Sequence, residues 1–327
     1  MKSLITGIAG FVGPHLAEHL LNNKHEVFGV DITKKKIENV ISYQTDILDR
    51  ESLFSVMRKI KPDYVFHLAA QSSVEKSFSQ PEFTKKVNVD GTKNLLDSIL
   101  SAGIKPTILT VSSAQIYGFP KQLPITEQHP LNPQSPYAKS RLEQEKLVLE
   151  YSKERNDISN RGGLFSIMNE IMPNMKVVIA RSFNHTGPGQ SEEFVCSDFA
   201  KQIVEIEKGL KEPLIKVGNL EAKRDFTDVR DIVRGYLLAL EKGKRGECYN
   251  LCSGKAYSIE EILQMLIKES ECKDIKVEKD PQKMRAGDIA ILLGDYSKFC
   301  KQTGWKPEIP LEQTLNDILE YWRKQIK

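Results

Sequence analysis

Short apolar runs alternate with amphipathic stretches along the first half of the chain. The apolar runs predict five β-strands, at Lys2–Ile5, Glu26–Val30, Tyr64–Leu68, Thr107–Ser112 and Lys176–Ala180. The stretches between them predict four helices, at Pro14–Leu21, Arg50–Ile60, Thr84–Ala102 and Ala138–Lys153. Strands and helices in this order form a parallel sheet covered by helices on both faces. The pattern therefore predicts an α/β fold built on a doubly wound parallel sheet.

The alternation loosens after about residue 183, where glycine and proline become frequent. The remaining chain predicts one strand, Gly246–Leu251, and three helices, at Asp231–Glu241, Ile259–Lys268 and Leu311–Lys324. We expect residues 181–226 and 256–327 to form a smaller α/β lobe. Residues 227–255 are expected to return to the larger domain, which consists mainly of residues 1–180.

One segment, residues 156–175, interrupts the pattern between a predicted helix and a predicted strand. Links at such places are usually about 2–6 residues long. A pair of glycines and mixed polarity predict an excursion with one helical turn at Phe165–Ile171. The sequence indicates no role for this segment.

The sequence TGIAGFVG, residues 6–13, joins the first predicted strand to the first predicted helix. Glycines at 7, 10 and 13 let the backbone turn tightly and approach a pyrophosphate closely. The helix that follows offers unpaired N–H groups and a partial positive charge. Because the glycines lie between a strand and a helix, they predict a dinucleotide-binding domain of the Rossmann type. A purely structural glycine turn is the alternative.

Asp31 ends the second predicted strand, where a carboxylate can accept hydrogen bonds from the adenosine ribose diol. A 2′-phosphate at this position would meet a negative charge, so NAD(H) is the preferred cofactor. Lys34, Lys35 and Lys36 follow, and their charge can partly offset that of Asp31, so NADP(H) is possible. The alternative is a run of solvated lysines.

Composition narrows the partners. The chain has 47 Lys and Arg against 44 Asp and Glu, a net charge of +3, which gives no reason to expect a nucleic acid. Five cysteines without disulfide-type spacing predict reduced thiols and a cytoplasmic location. Without a run of 18 apolar residues, no membrane partner is expected. The pattern His-x-x-Glu-His at residues 15–19 lies on the helix after the glycine turn, so no metal is predicted.

A serine pair and a tyrosine are the candidate catalytic groups. Ser112 and Ser113 end a predicted buried strand, where a hydroxyl can bond a substrate oxygen or simply cap a turn. Tyr137 begins a predicted helix and shares a face with Arg141, four residues later, whereas Lys139 points elsewhere. A nearby cation favours the phenolate form of tyrosine. Tyr137 is therefore an acid–base candidate, with a surface tyrosine among ordinary helix charges as the alternative.

Six motifs occur in an order that resembles the extended short-chain dehydrogenase/reductases that act on nucleotide sugars. They are TGIAGFVG, Asp31, HLAAQSSV (67–74), NVDGT (88–92), SSAQIYG (112–118) and PYAKS (136–140). The resemblance implies that Tyr137 is the acid–base and Ser113 its partner on the substrate side. The family usually has lysine where this chain has Arg141. The cofactor-binding residues implied are Gly7, Gly10, Phe11, Val12, Gly13, Asp31, Asp46, Ile47, Leu68, Ala69, Ala70, Asn88, Val111, Tyr137 and Arg141.

Motifs in the second half resemble those family members that act on GDP-sugars. The stretches are RSFNHTGPGQ (181–190), FVCSDFAKQI (194–203), VGNLEAKRDFTDVRD (217–231), RAGDIAILLGD (285–295) and TGWKPEIPLEQTL (303–315). The resemblance implies that Arg224 holds the nucleotide diphosphate, because guanidinium groups form paired hydrogen bonds with phosphate. The alternative is an ion pair of Arg224 with Asp225, Asp228 or Asp231. The substrate-binding residues implied are Gln71, Ser72, Ser113, Asn184, Val195, Asn219, Arg224, Arg285 and Asp288.

The residues after Ser113 discriminate between reactions. Removing water across C5–C6 of a hexose requires an added acid and base, and dehydratases of the family place carboxylates there. Here the positions are Ala114 and Gln115, which cannot ionise. We therefore predict reduction of the C4 ketone of a GDP-4-keto-6-deoxyhexose to a GDP-6-deoxyhexose of the GDP-rhamnose type.

Three alternatives to that reaction stay open. A nucleotide-sugar 4-epimerase uses the same groups, and a GDP-mannose 4,6-dehydratase is less favoured. A nucleotide-sugar-binding protein without catalysis is the alternative outside enzymes. We also expect a homodimer, because family members commonly pair the helices predicted at Thr84–Ala102 and Ala138–Lys153.

Overall fold

The computed structural model describes residues 1–153, 175–283 and 289–327. Three sequence predictions lie outside these ranges: the helical turn at Phe165–Ile171 and the substrate contacts of Arg285 and Asp288. Within the described ranges, no helix has both the length and the apolar character needed to cross a membrane.

A seven-stranded sheet, parallel throughout, forms the centre of the molecule, in the strand order β10-β6-β5-β4-β1-β2-β3. The order reverses between β1 and β4, and ligands bind at the carboxyl ends of strands beside such a reversal. The predicted Rossmann-type α/β fold is confirmed. The strands are β1 (Lys2–Thr6), β2 (Glu26–Asp31), β3 (Val40–Gln44), β4 (Tyr64–His67), β5 (Thr107–Ser113), β6 (Lys176–Ser182) and β10 (Cys248–Leu251).

Helices cover both faces of this sheet. On one face, Leu16 and Leu20 pack with Val229, Val233 and other apolar residues against the strands. The helices of this face are α1 (Val12–Asn22) and α8 (Val229–Lys242). The opposite face carries α2 (Arg50–Ile60), α5 (Gly91–Ser101) and α6 (Pro136–Ser152). The short helices α3 (Val74–Ser79) and α4 (Pro81–Lys85) lie between α2 and α5 in the sequence. The core thus lies in two layers around one sheet.

A second apolar cluster forms beside the large sheet. Its helices are α7 (Val195–Glu207), α9 (Ile259–Glu269) and α11 (Leu311–Gln325), and a short α10 (Ser297–Thr303) packs near β10. The described strands outside the large sheet are β7 (Asn184–Thr186), β8 (Leu214–Val217), β9 (Lys223–Asp228), β11 (Ala256–Ser258), β12 (Lys276–Lys279) and β13 (Ile291–Leu292). Because β10 pairs with β6 and α8 packs on α1, part of the second half contacts the large sheet. The domain boundaries themselves stay a prediction.

Several observed elements were not predicted, among them the strands β7, β8, β9, β11, β12 and β13 and the helices α3, α7 and α10. Two further differences concern the large sheet and a helix beside it. The strand β3 was not predicted, because it lies at the sheet edge and its residues are mostly exposed, which removes the apolar signal. The single helix predicted at Thr84–Ala102 is wrong in its start and its regularity. The structure begins it at Pro81 and inserts a π-helical turn at Lys86–Asp90 before α5. Such turns are set by tertiary contacts rather than by periodicity.

Candidate active site

The glycine turn between β1 and α1 brings the backbone close to its neighbours. Gly7 has φ +75°, and a Cβ there would lie 2.7 Å from the Ala69 nitrogen. A Cβ on Gly13 would lie 2.3 Å from the carbonyl oxygen of Ile8. Only glycine fits these two positions. The turn leads directly into the N-terminus of α1, so the cradle fits a dinucleotide pyrophosphate.

Asp31 is fixed at the carboxyl end of β2 by two backbone groups. Its Oδ2 accepts from the Ala9 N–H at 2.9 Å and its Oδ1 from the Thr33 N–H at 2.9 Å. The carboxylate lines a pocket of about 260 Å³ together with Ile8, Thr33, Lys34, Ser42, Tyr43 and Gln44. A carboxylate and a lysine therefore line the same pocket.

Ser113 lies at the carboxyl end of β5, half-buried. Its Oγ accepts from the Gln115 N–H at 3.2 Å and caps a 3₁₀ turn, Ala114–Tyr117. The capping alternative from the sequence is thus present in the structure. A hydroxyl that accepts this bond retains its own proton for a substrate oxygen. Ser112, on the preceding position, is buried, and its Oγ has no hydrogen-bond partner among the described residues.

The helix α6 begins at Pro136 and is capped by Ser135, whose Oγ accepts from the Ala138 N–H at 3.1 Å. Tyr137, in the first turn, is only 7% exposed, so the surface-tyrosine alternative is wrong. The guanidinium carbon of Arg141 lies 5.3 Å from the centroid of the Tyr137 ring. Lys139 is exposed. The cation beside the tyrosine is therefore the arginine.

The loop after β4 is held by Asn88, which lies in the π-helical turn. Its Oδ1 accepts from the Gln71 N–H at 2.9 Å, and its Nδ2 donates to the Gln71 carbonyl and to Ser140 Oγ. The Asn88 side chain is fully buried. Leu68, Ala69 and Ala70 in this loop are half-buried and face the same strand ends as the glycine turn. Ser72 is exposed.

On the adenine side, Asp46 is exposed and accepts from the Leu48 N–H at 2.8 Å, whereas Ile47 is buried. On the lobe side, Asn184 pairs with Phe226 between β7 and β9, and Val195 begins α7, half-buried. The contacts of these residues with cofactor and substrate stay predictions.

Arg224 on β9 donates from Nη1 to the Ile289 carbonyl at 2.6 Å. The three carboxylates considered as its ion-pair partners accept hydrogen bonds from other groups. Asp225 accepts from the Ser253 and Gly254 N–H groups, and Asp228 accepts from Arg230 and Thr314. Asp231 accepts from Arg234. Arg224 therefore contacts Ile289, the first described residue after the gap at 284–288. Asn219 Oδ1 accepts from the Glu221 N–H at 3.1 Å.

A family model described as GDP-mannose 4,6 dehydratase matches residues 4–318. The chain belongs to the GDP-mannose 4,6 dehydratase family. The GDP-6-deoxy-D-mannose reductase of Pseudomonas aeruginosa is 33% identical, covering 100% of this chain and 98% of that protein. The structure of RMD from Pseudomonas aeruginosa complexed with NADPH matches with a TM-score of 0.85 and 32% identity, over 99% of each chain. The Thermus thermophilus UDP-glucose 4-epimerase in complex with NAD matches with a TM-score of 0.83 and 26% identity, over 100% of each chain.

The predicted resemblance to extended short-chain dehydrogenase/reductases is confirmed by these matches. That the residues after Ser113 separate reduction from dehydration stays a prediction. Ala114 is buried, and Gln115 carries an amide that neither gives nor takes a proton at neutral pH. Neither position therefore carries the ionisable group that the resemblance to nucleotide-sugar dehydratases implies for a dehydratase.

Sequence reasoning missed a buried ion pair between β6 and α6, the helix that carries Tyr137. Arg181 on β6 donates from Nε and Nη2 to the two carboxylate oxygens of Glu145 on α6, at 3.0 and 2.8 Å. Its Nη1 also donates to the Tyr117 hydroxyl at 3.1 Å. Burial raises the pKa of that hydroxyl. The partners are 36 residues apart in the sequence, and no local pattern signals such a pair.

Proposed function

We propose that this enzyme reduces the C4 ketone of a GDP-4-keto-6-deoxyhexose to a GDP-6-deoxyhexose, using NAD(P)H. The observation that carries this proposal is the buried Tyr137, with the Arg141 guanidinium over its ring, in a chain where Ala114 and Gln115 follow Ser113. Reduction requires one proton donor, which the tyrosine supplies. Dehydration requires an additional acid and base.

The reaction divides among three side chains. The cofactor, when bound on the glycine turn, supplies the hydride. Tyr137 donates its proton to the oxygen at C4, and the Ser113 hydroxyl hydrogen-bonds the same oxygen. The Arg141 cation stabilises the tyrosinate that remains, and its free edge could hold the ribose of a bound cofactor. Arginine does not release a proton at physiological pH, so the proton that restores Tyr137 must come from another group, such as water.

Product analysis by NMR tests this proposal. GDP-4-keto-6-deoxymannose incubated with NADH or NADPH should give a GDP-6-deoxyhexose with a new hydroxyl at C4, in amounts equal to the cofactor oxidised. GDP-mannose alone should not be converted to the 4-keto-6-deoxy sugar. Finding that conversion at an enzymatic rate would refute the reductase proposal in favour of the dehydratase.

A 4-epimerase is the second candidate, because the structural match to UDP-glucose 4-epimerase covers the whole chain. An epimerase and a reductase use the same serine and tyrosine. They differ in cofactor balance, since epimerisation consumes no NADH. Conversion of a GDP-hexose to its C4 epimer without net oxidation of cofactor would support the epimerase instead.

Either cofactor is accommodated in this proposal, with NAD(H) preferred. Asp31 is held toward the pocket by backbone N–H groups, as a ribose diol requires. The related structures were obtained with NADPH and with NAD. Lys34 in the same pocket offers a 2′-phosphate a cation. A ratio of NADH to NADPH dissociation constants near one would refute the preference.

We also propose a homodimer and a cytoplasmic location. Phe78 and Phe83 on the short helices beside α6 are 64% and 52% exposed, an unusual state for phenylalanine that a partner would bury. The five cysteines are all free, as in a reducing compartment. A monomeric mass by light scattering at micromolar concentration would refute the dimer.

A further inference from the structure

A chain of buried hydrogen bonds connects the large sheet to the Arg141 side chain. Thr6 Oγ1 lies 2.8 Å from His67 Nδ1, and His67 Nε2 lies 2.8 Å from Thr92 Oγ1. Gln144 Nε2 donates to the same Thr92 hydroxyl at 2.8 Å. The Gln144 Oε1 accepts from Arg141 Nη1 at 3.0 Å. All five side chains are buried, so the position of the guanidinium depends on residues from two strands and two helices.

The protons of this chain have one consistent arrangement. The Thr92 hydroxyl donates to a backbone carbonyl four residues earlier at 2.7 Å, so it accepts from both His67 and Gln144. His67 consequently carries its proton on Nε2. Burial, with the nearby charge of Arg141, lowers the pKa of His67 to about 3, which keeps the ring neutral. The amide of Gln144 is thereby oriented with its oxygen toward the guanidinium.

Arg141 uses one end of its guanidinium for this attachment. Its Nη1 donates one hydrogen to Gln144 and the other to the Val111 carbonyl, each at 3.0 Å. Its Nε is buried and has no hydrogen-bond partner within the described part of the chain. Buried donors without partners are uncommon and point to a ligand or a function. Two bonds from one nitrogen fix the plane of the group over Tyr137 and leave its other edge for a ligand.

We propose that Gln144 is a positioning residue, which holds the Arg141 guanidinium in place over Tyr137. The inference rests on the proposed reductase function, in which that cation assists the tyrosine. An arginine has a planar group with five donors, so its effect depends on orientation more than that of a lysine, whose charge is compact. Gln144 supplies that orientation, and thereby allows an arginine to serve at this position.

The Gln144→Met variant tests the proposal, because it removes both polar atoms of the amide at similar volume. In ketone reduction Tyr137 donates a proton, and a released guanidinium no longer lies in a fixed position over the tyrosine ring. We expect kcat to fall about tenfold, as for the loss of one hydrogen bond to a charged group. The Glu143→Ala variant, on the neighbouring half-exposed position, is the matched control and should resemble the parent.

Two further variants separate positioning from a general structural role. Gln144→Glu keeps an acceptor for Arg141 and should restore most of the activity lost in Gln144→Met. Combined with Arg141→Lys, the Gln144→Met change should have a much smaller effect, because lysine does not depend on that amide for its orientation. Equal effects of Gln144→Met on kcat in both backgrounds, or a lower stability with an unchanged kcat, would overturn the proposal.

The NADH dissociation constant, measured by fluorescence, keeps this test independent of the substrate. If GDP-4-keto-6-deoxymannose is not turned over by the parent, the reductase proposal fails. A dissociation constant raised severalfold in Gln144→Met but not in Glu143→Ala would then still support positioning, whereas equal values would overturn it. If Gln144→Met does not fold, Thr92→Val, which removes the acceptor of the Gln144 amide, takes its place with the same expectations.

Discussion

Removing Arg181 should destabilise the enzyme more than any surface substitution. The side chains of Arg181 and Glu145 are only 7% and 2% exposed, and two parallel hydrogen bonds join them. An Arg181→Met variant keeps much of the apolar stem but leaves the Glu145 carboxylate buried without its cation. Breaking one side of a buried pair costs about 3–5 kcal/mol of unfolding free energy. The Tyr117 hydroxyl loses one partner but still donates to Asn250 Oδ1 at 2.7 Å, so it adds little.

Urea denaturation followed by circular dichroism measures this loss as a lower transition midpoint. The second variant, Glu145→Leu combined with Arg181→Met, replaces both charges by apolar groups and should recover most of the stability, because it leaves no unpaired charge. Glu145 lies on α6 with Tyr137 and Arg141, so the single variant should also lower kcat. An Arg181→Met variant whose unfolding free energy is less than about 1 kcal/mol below that of the parent would refute the reasoning. So would a double variant no more stable than the single.

Three further predictions concern the site and its pH dependence. In steady-state assays Arg141→Met should lose most of kcat, whereas Arg141→Lys should keep or improve kcat and Lys139→Met should lower it little. A large loss of kcat in Lys139→Met would contradict the placement of Arg141 beside Tyr137. Asp31→Ser should narrow or reverse the preference for NADH over NADPH, and dissociation constants that do not change would count against the carboxylate's role. Burial raises the pKa of Asp225 to about 6, so its folded form prefers the proton, and its contribution to stability is lost as pH rises from about 4 to 6. The unfolding free energy of the parent relative to Asp225→Asn should therefore fall by about 2 kcal/mol over that range. A difference that rises with pH would show that hydrogen bonds to the carboxylate outweigh its desolvation.

The sequence predicted those parts of the molecule that depend on local pattern. Strands with continuous apolar runs and the helix Arg50–Ile60 were placed almost as observed, because periodicity and caps act over a few residues. The pairing of Tyr137 with Arg141 followed from helical spacing alone, and the structure confirms that they share a face. The glycine turn and Asp31 likewise needed only their order along the chain.

Contacts between distant segments were beyond that reasoning. The side-chain partners of Arg181 lie on the helix α6 and in the 3₁₀ turn at Ala114–Tyr117, both far from it in the sequence. Gln144 reads as an ordinary helix residue until Thr92 and Arg141 are placed beside it. The edge strand β3 carries too few buried residues to stand out. In each case the deciding term is burial created by tertiary packing, which no single stretch of sequence contains.

The π-helical turn at Lys86–Asp90 joins α4 directly to α5 and changes which helical face each presents to its neighbours. Each residue of a regular α-helix advances the face by about 100°, so a turn with one extra residue rotates everything beyond it. The helices on either side, α4 and α5, both contact α6. Deleting a single residue here would bring the two halves into one frame and turn one of them away from α6. Length in this turn is therefore under tighter constraint than residue identity at most of its positions.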